Sequence, residues 1–143
     1  MKATMWLRIA SVLTLVHAVL HTVGGVFGKT AAGPASVAAA AMHSNHFVFM
    51  GASRTFWDFH IGMALAVTIF LTVEGVVFWM LGGLVKRDGA ALRPVLAVFA
   101  LGYLAFAANS DVYFFTLAAV MEFCIAACLV MAAVKAGRSA IVA

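Results

Sequence analysis

The chain has 143 residues, of which 66% are hydrophobic and 10% charged, with a formal charge of +4. A soluble fold of this length leaves too much surface in water to hide so much hydrocarbon, so a bilayer is the natural solvent. The length suits a single domain, 1–143, and the basic residues form no run or patch that would suit nucleic acid; they sit at the ends of apolar stretches.

Four stretches are long enough, or nearly so, to cross about 30 Å of hydrocarbon: residues 5–27, 56–84, 94–110 and 112–134. The first follows Lys2 and resembles a secretory signal, with small residues in "GPASVAAAA" that would suit cleavage. Its apolar length exceeds the roughly 7 to 15 residues of a signal core, and it carries two histidines, so it reads as a retained span. The loop 28–55 contains "ASVAAAAMHSNHFVFM", an Ala-rich stretch ending in aromatics that could form a short helix on the outer interface. In the second span, Gly82-Gly83 marks a fraying end. Pro94 suits the first turn of the third, and "NSDV" at 109–112 reads as a tight turn before the fourth.

Lys2 and Arg8, then Lys86, Arg87 and Arg93, then Lys135 and Arg138 fall on one side of these spans; only Lys29 and Arg54 fall on the other. The positive-inside rule places both termini in the cytoplasm, with loop 28–55 outside. The expected fold class is all-α: an integral membrane four-helix up-and-down bundle, with a short interfacial helix in the first outer loop as a possible addition. Gly24, Gly25, Gly62, Gly75 and Gly102 would let helices approach closely. Cys124 and Cys128, four apart in one apolar run, read as small core or lipid-facing residues.

Ionisable groups at membrane depth cost free energy and are functional candidates by default. His17 and His21 share a face of span one, about 15 Å and 9 Å below its outer end at 1.5 Å per residue. Asp58 and His60 open span two, and Glu122 lies about 16 Å beyond Asp111. His17 and Glu122 are thus expected at similar depth, with His21, Asp58, His60 and Asp111 nearer the outer mouth. Glu74 belongs further in, and His43 and His46 could form a lid.

This set admits several chemistries. A metal ion could be held by His17 and His21 with His60, Asp58 or Glu122 as a third ligand, although "HAVLH" lacks the glutamate of the metalloprotease pattern. Haem would need His17 or His21 opposite His60. A cofactor-free alternative has Glu122 and His17 moving a proton on a lipid-like substrate. The leading expectation is a site in the outer half of the bundle, built from His17, His21, Asp58, His60, Asp111 and Glu122, for a metal or a small lipophilic ligand. The alternative is an accessory or scaffold subunit of a larger membrane complex, with a histidine ligating a haem or pigment. Membrane lipid is a partner in either case, and self-association into a homo-oligomer is compatible with both. The same polar groups could also simply join helices, with Tyr103, Asn109 and threonines as hydrogen-bond partners. Arg54 and Asp58 would then be an i, i+4 pair capping span two, and Trp57 would belong to the rim and its aromatic belt.

The run Arg54, Thr55, Phe56, Trp57, Asp58, Phe59 and Gly62 resembles a family of small bacterial four-span membrane proteins. Their shared feature is R-[ST]-[FY]-W-D-F-x-x-G entering the second helix, with histidines in the first. Where the family is expected to carry an aromatic such as Tyr, this chain has His60, which weighs against His60 as an obligatory ligand. The resemblance implies the fold and the membrane class, a bacterial plasma membrane, and carries no activity with it.

Overall fold

The computed structural model describes residues 2–136; Arg138, counted above among the basic residues, lies outside them. Helix α1 (Ala3–His21) runs on as one π-helical turn (Thr22–Val26). Then come α2 (Pro34–Ser44), β1 (His46–Phe49), β2 (Ala52–Thr55), α3 (Phe56–Leu84), α4 (Gly89–Tyr113) and α5 (Thr116–Ala136). The fold is all-α apart from one small hairpin. Ala3–Val26, Phe56–Leu84, Gly89–Tyr113 and Thr116–Ala136 are each long and apolar enough to cross a membrane. The most hydrophobic window of α3 is only 17% buried. Such a surface is tolerable only in hydrocarbon, so this is an integral membrane protein.

The chain divides into two compact units, one of the residues up to His17 and from Leu71 onward, the other Ala18–Phe70. In the first unit each helix buries a stripe at alternating spacings of three and four, the repeat that keeps one face turned to a neighbour. On α1 the stripe is Ala3, Leu7, Ala10, Thr14 and His17; on α4 it is Leu96, Ala100, Tyr103, Ala107 and Ser110. Helix α5 turns in Ala119, Glu122, Ile125, Ala126, Leu129 and Ala132. Lipid tails are as apolar as leucine, so contact between helices here depends on close fit and polar bonds. Both are present. A Cβ on Gly75 would stand 2.7 Å from the Leu15 side chain, and Ser11 Oγ donates to the Gly75 carbonyl at 2.6 Å. Fully buried Phe78 meets Phe99 edge-on at 5.1 Å.

In the second unit the end of α1 is tied to α3 by the Thr22–Thr68 hydroxyl contact at 3.0 Å. The loop holds two elements. Helix α2 supplies the expected short helix, opened by Pro34 at its first turn, but it ends at Ser44. The aromatic tail of the loop is instead an antiparallel hairpin pairing His46 with Thr55 and Phe49 with Ala52. Its two-residue turn, Met50-Gly51, has φ of 49° and 83°. Two left-handed residues are what a type I′ turn demands, and its twist matches that of the strands. Phe47 packs on Phe56 and Phe59 at 4.9 and 5.4 Å, locking the hairpin to the start of α3.

Several expectations need correction. The third span begins at Gly89 rather than residue 94, because Asp88 caps it, its side chain accepting from the Ala91 N–H at 3.0 Å. Pro94 therefore lies in the second turn. The "NSDV" run is helical, and the connection is the exposed pair Phe114-Phe115. Ser110 faces Glu122 instead of forming a turn, so tertiary bonding overrides local turn preference. By contrast, Gly82-Gly83 does fall in the last turn of α3, which ends at Leu84 as expected. Of the five glycines expected at helix contacts, Gly24, Gly62 and Gly102 have open space where a Cβ would stand. Gly25 faces His21 of its own helix, and Gly75 alone of the five meets another helix.

Candidate functional site

The stripes that build the first unit also carry its polar groups. Each of His17, Tyr103, Ser110 and Glu122 occupies a position its helix would otherwise fill with alanine or leucine. Glu122 is 1% exposed. Its Oε1 accepts from Ser110 Oγ at 3.0 Å and lies 3.9 Å from His17 Nε2. Its Oε2 has no hydrogen-bond partner among the described residues. The His17 ring stacks on Phe106 with centroids 6.5 Å apart, and Phe106 lies at the same separation from Tyr103. Tyr103 donates its hydroxyl to Glu74 Oε2 at 2.6 Å. Two carboxylates, an imidazole and two hydroxyls thus occupy one apolar unit.

A carboxylate alone in hydrocarbon is unstable, and proximity to an imidazole eases that cost by letting the pair remain net neutral with one proton on either partner. Ser110 holds Oε1, which biases the carboxyl orientation and leaves Oε2 as the open valence. At 3.9 Å the two groups are beyond hydrogen-bond distance, so a proton passes between Nε2 and the carboxyl group only when they close or a ligand bridges them. The arrangement can also present Oε2 to a ligand that donates a hydrogen bond, or accepts one when the carboxyl is protonated.

Of the six residues singled out from the sequence, the structure brings His17 and Glu122 together. The equal depth argued from helix rise holds as contact, although Glu122 lies about 9 Å along α5 from Thr116, not about 16 Å from a turn at residue 111. His21, Asp58 and His60 belong to the second unit. His21 Nε2 lies 3.1 Å from the Ala64 carbonyl; a carbonyl only accepts, so this nitrogen carries the proton and has no lone pair for a metal. His60 is exposed, near Trp57 at 5.4 Å, and Trp57 stacks on His43 at 4.3 Å. Asp111 is exposed on the last turn of α4. Among the described residues no three His, Cys, Asp or Glu side chains converge closely enough to hold a metal ion. Cys124 and Cys128 are free thiols, the first exposed and the second buried.

Asp58 does not pair with Arg54. The Thr55 N–H donates to Asp58 Oδ2 at 2.7 Å, and the Asp58 N–H donates to Thr55 Oγ1 at 3.1 Å. This is a capping box, in which each side chain satisfies the other's backbone donor at the start of α3. Arg54 instead donates to the Ser53 carbonyl at 2.7 Å. Ser110 and Phe106 were missed as neighbours of the dyad. The signal for Ser110 was the spacing Leu96, Ala100, Tyr103, Ala107, Ser110, which puts it on the core face; Phe106 lies outside that stripe.

No family model, curated protein or solved structure matches the chain.

Proposed function

We propose that this integral membrane protein binds a small lipophilic ligand at the His17–Glu122 dyad, with its polar group engaging Glu122 and its apolar body lying among the helices. The observation that supports this most is the unpartnered Glu122 Oε2 beside His17 Nε2 in a residue only 1% exposed. A buried polar atom without a partner costs about 1–3 kcal/mol, and a ligand hydrogen bond removes that penalty. A proton-transfer role on the same ligand follows from the imidazole–carboxyl pair. The excess of Lys2, Arg8, Lys86, Arg87, Arg93 and Lys135 over Lys29 and Arg54 supports cytoplasmic termini, the end of α1 near the dyad then facing outward.

The test is mass spectrometry of organic extracts and metal analysis of the purified protein, wild type against Glu122→Gln. The expected result is one lipophilic species enriched with the wild type and reduced at least fivefold in the variant. Equal small-molecule content in both would overturn the proposal. So would a stoichiometric metal lost on substitution, or larger subunits co-purifying with both chains while no ligand does.

A further inference from the structure

The second unit contains a groove of about 480 Å³ lined by Arg54, Trp57, Asp58, Ile61, Gly62 and Leu65. Residues 58, 61, 62 and 65 recur at helical spacing, so the groove follows one face at the start of α3, with Arg54 added from the adjoining end of β2. Charge lies at its mouth and hydrocarbon along its floor. Gly62 keeps that floor open, since nothing lies within 4 Å of where its Cβ would stand. Trp57 forms one wall, held by the His43 ring stacked on it.

The two charges at the mouth attract one another without closing into an ion pair. The ion pair found among the described residues is His17–Glu122. Arg54 commits Nη1 to the Ser53 carbonyl, and the rest of its five-donor fork remains for an acceptor. Asp58 commits Oδ2 to the helix cap, leaving Oδ1 for a second donor. An occupant complementary to this groove carries an anion and a hydrogen-bonding cation side by side, above an apolar chain. Because α3 is a membrane-length helix, the groove at its first turns lies at head-group level, where tryptophan also prefers to sit.

We propose that this groove is a binding site for a phospholipid with a phosphoethanolamine head. The phosphate oxygens take the Arg54 guanidinium, which suits a planar bidentate acceptor. The primary ammonium donates to Asp58, and an acyl chain lies along Ile61, Gly62 and Leu65. Choline heads have no N–H to give Asp58. A glycerol head can offer Asp58 a hydroxyl but no cation to neutralise its carboxylate. The site shares no residue with the dyad and does not depend on its function.

Native mass spectrometry of the full-length protein in detergent, titrated with phosphatidylethanolamine, phosphatidylcholine and phosphatidylglycerol of identical acyl chains, tests the assignment. The wild type is expected to retain one phosphatidylethanolamine about tenfold more tightly than phosphatidylcholine, the size of one charge-assisted hydrogen bond. Asp58→Asn, which keeps an oxygen for the Thr55 cap, should abolish that preference. Arg54→Gln should weaken retention of phosphatidylethanolamine by a similar factor, and Glu122→Gln should leave it unchanged. Phosphatidylglycerol binding as tightly as phosphatidylethanolamine would overturn the proposal, as would indifference among the three lipids. Unchanged phosphatidylethanolamine retention in Arg54→Gln would overturn it too, and this variant leaves the cap untouched should Asp58→Asn fail to fold.

Discussion

At Thr55 and Asp58 the sequence is compatible with two different local bonds, and the structure chooses between them. An Arg54–Asp58 pair and a Thr55–Asp58 capping box use the same carboxylate, but the box reaches it through backbone N–H groups that have no intrahelical partner. An exposed ion pair competes poorly with such a bond because water and side-chain entropy cancel most of its gain. Thr55→Ala is therefore expected to destabilise the protein by about 1 kcal/mol, the usual loss for an N-cap hydroxyl. Arg54→Ala should leave the denaturation midpoint unchanged. Chemical denaturation in detergent, followed by circular dichroism, measures both. At the dyad the sequence supplied residue types and depth but not partners. His17 and Glu122 meet although the depth of Glu122 was counted from a turn that is helical in the structure, and Ser110 was hidden inside that same run.

At the scale of elements, helix length and apolarity were legible and ends were not. The start of α4 depends on Asp88, a single cap outside the apolar run, and its end runs through Asn109, Ser110 and Asp111 against their local preference. The hairpin escaped notice for a related reason. Its strands have only four residues each, and its turn is Met-Gly rather than Asn-Gly. The contact of α1 with α3 rests on missing atoms as much as on present ones. Gly75→Ala places a methyl against Leu15 and should cost about 1–3 kcal/mol, as overpacking does. Leu15→Ala in the same background should recover most of the loss, read as the shift in denaturation midpoint across the double-mutant cycle.

For the whole molecule, composition alone determined the class, since no other solvent accommodates so exposed and apolar a set of helices. Proposed sidedness can be checked by cysteine labelling in a Cys124→Ala/Cys128→Ala background. Met50→Cys at the hairpin tip should react with an impermeant maleimide in intact cells, and Arg87→Cys only after permeabilisation. What the sequence could not convey was how buried polar groups distribute among neighbours, because periodicity gives faces and depth but not pairings across helices. A His17–Glu122 dyad kept for a ligand is dispensable to packing. Buried ion pairs can often be replaced by apolar residues of similar volume with no loss or a gain of about 1–4 kcal/mol, whereas losing one partner is costly. The most direct test is the denaturation midpoint of His17→Leu/Glu122→Met beside each single variant. The double variant is expected to be at least as stable as the wild type, with His17→Leu alone clearly less stable. A double variant destabilised as much as the single ones, or more, would contradict the ligand role and assign the dyad to the scaffold.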